Sequence, residues 1–244
     1  MSPRRIVATA GRVINQLWHD PRTLGLIFFV PCALLVLVKY VFQNQTATFN
    51  QIEPLMLGIF PLTIMFLVAS ITTLRERTVG TLDRLLTMPM SKLDFILGYA
   101  LSFSFVALIQ ALLASTVVIG FLKVPVAGGA WAMMAGAVIT AFLGTALGLF
   151  VSAFASSEFQ AVQFLPAFIF PQLLTCGLFV PREHMAKLLQ WFADIMPMTY
   201  SVDAMKYITL HAGWNHTITK DFLIVLLVAL GVLVLGAVTI RRHD

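Results

Sequence analysis

The chain has 244 residues, 59% of them hydrophobic and 11% charged, with a mean hydropathy of +0.90 and a formal net charge of +5. Soluble domains run at roughly 45–50% apolar and about 25% charged, so this composition excludes a soluble globular protein and fits a single integral membrane domain. The basic residues are spread over several short polar segments rather than gathered in one patch, which argues against nucleic acid as a partner and for membrane topology.

Ser2-Pro3 starts a helix, with proline at the first helical position. Ile6, Ala10, Val13, Ile14 and Leu17 share one face, and Arg5, Thr9, Arg12, Gln16 and His19 share the other, with Trp18 at the end. A basic face opposite an apolar one reads as a helix lying on the membrane surface, broken by Asp20-Pro21. The N-terminal stretch does not resemble a cleavable signal, because the first apolar run continues as a full span. A spanning helix needs about 20 mostly apolar residues. Six such stretches fit, at about 24–42, 55–74, 93–121, 131–154, 159–180 and 222–240.

Ser91 with Asp94, and Ser157 with Gln160, form capping-box patterns at the starts of the third and fifth spans. Pro31, Pro61, Pro166 and Pro171 interrupt spans one, two and five, each as a tolerated packing kink or as a hinge beside a cavity. Gly144 and Gly148 make a GxxxG pattern suited to close packing within the bundle. Cys32 and Cys176 fall at different depths of apolar spans and read as small packing residues rather than a disulfide. In the stretch 181–221, Met185, Leu188, Leu189, Phe192 and Ile195 recur at helical spacing against His184, Lys187, Gln190 and Asp194. That predicts one or two short helices on, or dipping into, the outer leaflet.

Lysine and arginine set the orientation. Arg4, Arg5, Arg12 and Arg22 precede the first span; Arg75, Arg77, Arg84 and Lys92 lie between the second and third; Arg241 and Arg242 follow the sixth. Both termini are therefore expected on the cytoplasmic side. Lys39 is read as snorkelling from the outer end of span one, and Glu158 as supporting the start of span five. The expected fold is an all-α membrane protein, one domain over 1–244. It has six transmembrane helices, an N-terminal interfacial helix, a cytoplasmic coupling helix and an outer re-entrant or interfacial segment before the last span.

The segment after span two concentrates charge: Arg75, Glu76, Arg77, Asp83 and Arg84 stand close together. On a helix from Arg75 to Leu86, the residues Val79, Leu82, Leu85 and Leu86 gather on one side. Such a helix, anchored on a neighbour by apolar contacts and ion pairs, moves as a rigid body with it. Gly80 permits close approach of another backbone and Pro89 ends the element. The plainer alternative is a solvated positive-inside loop.

The run Glu76-Arg77-Thr78-Val79-Gly80-Thr81-Leu82-Asp83-Arg84-Leu85-Leu86-Thr87-Met88-Pro89 resembles the signature of ABC-2-type permeases, with Asp83 where glutamate is commoner. Pro197-Met198-Thr199-Tyr200, with Asp203 and Ala204 downstream, is similar to that family's second landmark. The resemblance is closest to drug-exporter permeases of the daunorubicin-resistance kind, and lipid and polysaccharide exporters share the signature. It implies a homodimer, with a sister permease as the alternative second half, over two copies of a separate ABC ATPase that binds ATP and Mg. Arg75, Glu76, Arg77, Gly80, Thr81, Leu82, Asp83, Arg84, Leu85 and Pro89 would then couple to that ATPase. Spans two and five would meet at the dimer interface around the substrate path. Phe60, Phe66, Phe164, Phe168, Phe170 and Gln172 are the pathway candidates this implies, the alternative being lipid-facing or core positions.

The chain contains no Gly-Lys dipeptide and so no phosphate-cradling P-loop. No cofactor and no catalytic activity of its own is expected. His184, His211 and His216 lack metal-like spacing, and no nucleophile–base set stands out. The expected function is export of a hydrophobic or amphipathic small molecule across the cell membrane. An ion-gradient-driven carrier is the competing class, disfavoured because the sequence pattern of the spans shows none of the buried ionisable pairs such carriers use. Export against import stays open.

Overall fold

The structure is a computed structural model that describes residues 3–78 and 92–239. Its helices are α1 (Pro3–Trp18), α2 (Pro21–Val41), α3 (Thr46–Thr78), α4 (Lys92–Thr116, continued by a π-turn at Val117–Phe121), α5 (Ala130–Ser152) and α6 (Glu158–Thr175). A 3₁₀ turn (Arg182–His184) leads into α7 (Lys187–Ile195), α8 (Pro197–Leu210) and α9 (His216–Thr239). Among the described residues there is no strand.

Local chemistry starts the helices where the sequence indicates. Asp20 accepts from the backbone N–H of Arg22 and of Thr23, both at 3.2 Å, and from Thr23 Oγ1 at 2.6 Å, with Pro21 opening α2. At α6, Gln160 N–H donates to Ser157 Oγ at 3.2 Å. Gln160 Oε1 in turn accepts from Ser156 N–H at 2.8 Å, one residue ahead of the standard box.

The core centres on α3 against α5. A Cβ at Gly144 would lie 2.1 Å from Leu62 O, and one at Gly148 would lie 2.4 Å from Phe66 O. The two backbones therefore touch, so the GxxxG pattern works inside the chain. That approach seals Leu57, Leu62, Met65 and Phe66 of α3 against Ala137, Ala141, Leu143 and Ala146 of α5. Gly136 makes room for side chains instead: a Cβ there would lie 2.7 Å from Met205 Sδ of α8 and 2.9 Å from Phe222 Cζ of α9.

Five helical segments are long and apolar enough to cross a membrane: α2, α3, Asp94–Phe121, α5 and α9. The sixth expected span, about 159–180, corresponds to α6, which is shorter at 18 residues and contains Gln160, Gln163, Gln172, Pro166 and Pro171. Those side chains keep it below the apolarity of the other five. The second span runs further than 55–74, from Thr46 to Thr78, because packing holds the helix through Pro54 and Pro61.

Only part of the 181–221 segment lies at the surface. α7 is amphipathic, with Leu188, Trp191 and Ile195 exposed. α8 is instead built into the bundle, with Met198, Val202, Met205 and Ile208 buried. The α4–α5 connection secures its end: Gly128 N–H donates to Ile208 O at 2.8 Å and Ala127 N–H to Thr209 O at 3.2 Å.

Candidate coupling site

Arg75, Glu76 and Arg77 form the last turn of α3, rather than opening a separate helix at residue 75. Nothing from Leu74 to Thr78 breaks a helix, and Arg and Glu are good helix formers, so the span simply continues. Gly80, Thr81, Leu82, Asp83, Arg84, Leu85 and Pro89 lie outside the described residues.

Successive helical residues point about 100° apart, so these three side chains reach different neighbours. Glu76 is buried, and Arg12 Nη1 of α1 donates to its Oε2 at 3.1 Å and its Oε1 at 3.3 Å. Arg12 Nη2 donates to Tyr99 Oη of α4 at 2.7 Å, and the guanidinium carbon lies 5.8 Å from that ring's centre. One guanidinium thus ties three helices together through charge-assisted bonds. Arg75 clasps Glu158 at the start of α6, Nε to Oε1 at 2.9 Å and Nη2 to Oε2 at 3.3 Å. Glu158 is therefore an ion-pair partner as well as a first-turn acid. Arg77 Nη1 donates to the Ser152 carbonyl at the end of α5, satisfying one of the oxygens a helix terminus leaves open.

Gly98 seats α1. A Cβ there would lie 2.6 Å from Thr9 Cβ, and Ser102 Oγ donates to Ala10 O at 3.1 Å. Thr9, Ala10, Val13 and Leu17 are buried as a result. Thr9 and Arg12, expected on the water-facing side of a surface helix, turn toward protein. Periodicity identifies which residues share a face, and Gly98 supplies the neighbour that face meets.

The pathway candidates divide. Phe60 and Phe164 are half-buried against the core, while Phe168 and Phe170 are exposed on α6. Phe66 is sealed in the core, where Gly148 of α5 meets its backbone. Gln172 is buried and bonded within the chain: Nε2 donates to Phe168 O at 2.8 Å, and Oε1 accepts from Met198 N–H at 3.3 Å. The six residues do not share one surface of this chain.

Glu53 and the ion pairs of Arg182 escape the sequence reading. Glu53 of α3 is fully buried, and among the described residues neither carboxyl oxygen has a hydrogen-bond partner. It is a lone buried carboxyl just ahead of the expected second span at 55–74, not one of the buried ionisable pairs whose absence the sequence suggested. Lys39, exposed at the end of α2, donates to Leu122 O at 3.4 Å and lies 5.9 Å from the Phe49 ring centre. A lysine and a glutamate flanking the turn between α2 and α3 were the available signal. At the same end, Arg182 Nη1 donates to Asp194 Oδ1 at 3.0 Å and Nη2 to Asp203 Oδ2 at 2.6 Å. Burial pushes the Asp203 carboxyl above its ordinary range, with Arg182 pulling it back.

Residues 4–210 match the family model described as ABC-2 type transporter. The chain belongs to that family. Over 156 residues this ABC-2 chain is 30% identical to "Probable multidrug ABC transporter permease YbhR" of Escherichia coli, covering 62% of the chain and 42% of the relative. It is 27% identical over 151 residues to "Inner membrane transport permease YhhJ" of the same organism, covering 62% and 40%. Against "ABC transporter G family member 20" of Dictyostelium discoideum it is 26% identical over 179 residues, covering 72% and 24%. The matched stretches thus span less than half the length of these relatives. Their names describe transport permeases and ABC transporters. With five helices long and apolar enough to cross a membrane, this ABC-2 chain is a multi-pass membrane protein.

Proposed function

We propose that this chain is the membrane subunit of an ABC exporter, moving a hydrophobic or amphipathic compound outward under the power of a separate ATPase. The observation that carries this reading is the binding of α3's last turn to α1, α4, α5 and α6 through Arg12, Tyr99, Ser152 and Glu158. A push on the segment after Thr78 enters the bundle through α3. These contacts would spread it over four other helices as one rigid displacement. The family signature begins at Glu76, the residue Arg12 holds.

In this reading α6 is the sixth span, both termini are cytoplasmic in the cell membrane, and the ATPase holds ATP and Mg in two copies beneath a permease dimer. Exposed Val162, Gln163, Phe170 and Leu174 on α6 support a second copy of this chain there. A glutamine facing lipid is unfavourable, whereas one at a helix–helix contact finds partners. The name of the multidrug permease relative supports a drug-like cargo, and a lipid or polysaccharide cargo is the alternative within the family. Glu53 favours one reading of another class, a carrier driven by an ion gradient, because buried carboxylates in spans serve proton and ion paths.

The test is reconstitution with the ATPase subunit in vesicles, measuring cargo flux and ATP hydrolysis for Arg12→Ala, Glu76→Ala and the double variant. Each single change should lower flux per ATP by about tenfold, and the double should be no worse than either single, since both remove one linkage. Wild-type flux in both singles refutes the transmission route. Flux that persists without ATP and follows a proton gradient, lost in Glu53→Gln, favours the carrier.

A further inference from the structure

At the end of the bundle opposite α1, a cavity of about 530 Å³ opens between the 3₁₀ turn, α8 and the start of α9. Its lining holds three acids, Asp194, Asp203 and Asp221, and three bases, Arg182, Lys206 and Lys220. The charges balance in number and not in place. Arg182 is committed to Asp194 and Asp203, at 3.0 Å and 2.6 Å. Asp221 borders the cavity from α9, is only 7% exposed, and among the described residues accepts no hydrogen bond. Lys206 and Lys220 border the same space with exposed side chains. The cavity thus offers the carboxylate of a largely buried aspartate, bordered by two lysines and given no hydrogen bond by the described residues.

Depth narrows the ligand further. Trp191 of α7 and Trp214, just before α9, are exposed at this end, with Leu188 and Ile195. Tryptophan collects where hydrocarbon gives way to headgroups, so the cavity lies at headgroup level. A ligand matching it carries one cation with N–H donors for Asp221 and one anion for the lysines. A quaternary ammonium has no N–H to donate, and a purely anionic group leaves Asp221 unmatched.

We infer that the cavity binds a phosphoethanolamine group, its ammonium on Asp221 and its phosphate between Lys206 and Lys220. The group can arrive on a bilayer lipid or as free phosphoethanolamine. The inference needs only the membrane setting and stands apart from the direction and cargo of transport.

The full chain is extracted from vesicles containing equal phosphatidylethanolamine, phosphatidylcholine and phosphatidylglycerol, and retained lipid is counted by native mass spectrometry, with and without soluble phosphoethanolamine. Phosphatidylethanolamine should be retained about tenfold over phosphatidylcholine, the worth of one charge-assisted contact. Asp221→Asn should erase that preference, and Lys206→Gln should weaken all phosphate-bearing lipids alike. Displacement by soluble phosphoethanolamine supports headgroup binding with the free molecule sufficient; retention despite it supports the lipid as the ligand. Equal retention of the ethanolamine and choline lipids, or an unchanged preference in Asp221→Asn, overturns the inference. Should Asp221→Asn not be recovered folded, the wild-type lipid comparison and Lys206→Gln decide.

Discussion

Replacing Gly144 by alanine places a methyl 2.1 Å from Leu62 O and 2.8 Å from Leu62 C and Cα. Those atoms are backbone and cannot rotate aside, so α3 and α5 must separate by roughly 1 Å along their seam. A gap of about 0.5–1 Å forfeits a quarter to a half of each dispersion contact it opens, and Leu57, Leu62, Met65 and Phe66 are all fully buried there. Overpacking of this kind costs about 1–3 kcal/mol, and a clash against backbone belongs at the upper end. For a chain of this size that lowers the unfolding midpoint by roughly 5–10 °C. The control is Gly231→Ala, where nothing lies within 4 Å. There alanine should be neutral or slightly stabilising, as it outranks glycine in helices by up to about 1 kcal/mol. Heating the detergent-purified variants and following tryptophan fluorescence measures both. A Gly144→Ala midpoint within a degree of wild type, or an equal loss in Gly231→Ala, refutes backbone contact as the organising feature.

Gly98→Leu should lift α1 from α4, because Thr9 fills the required space; faster amide exchange through 3–18 with the rest of the bundle protected is the expected signature. The Asp20 carboxyl sits below its ordinary range because it accepts from Thr23's hydroxyl and backbone N–H, and its folded value is thus below its unfolded one. Its contribution is present at neutral pH and lost as pH falls through the acidic folded value, so midpoints measured from neutral to strongly acidic pH should fall less in Asp20→Asn, whose amide keeps the cap. Glu158→Gln breaks an exposed pair and should change stability by less than about 0.5 kcal/mol. In the reconstituted complex it should nonetheless reduce flux per ATP.

Much of the architecture was legible because lipid demands long apolar helices and two helix starts carry their own caps, Asp20 and Ser157. The glycine pair at 144 and 148 was legible as a close contact because only small residues permit one. What eluded the sequence was the identity of neighbours. Thr9 and Arg12 share a polar face whether that face meets water or Gly98 and Glu76. Glu53 beside Pro54 looks like a boundary facing water, yet α3 continues backward to Thr46 and buries it. Phe66 and Phe170 are indistinguishable by composition, and only the approach of α5 sends one inside and leaves the other exposed. Arg75 to Arg77 looked separate from the span because charge usually marks its end, and here tertiary ion pairs let the helix run on.

The amides of Ala127 and Gly128 bear on biogenesis as well as shape. They stopper the carbonyls at the end of α8, a job more often done by a glycine immediately downstream. Translation delivers these donors about eighty residues before their acceptors, so the closure of α8's end cannot form until α8 has been made, and the last third of the polypeptide depends for it on the middle third.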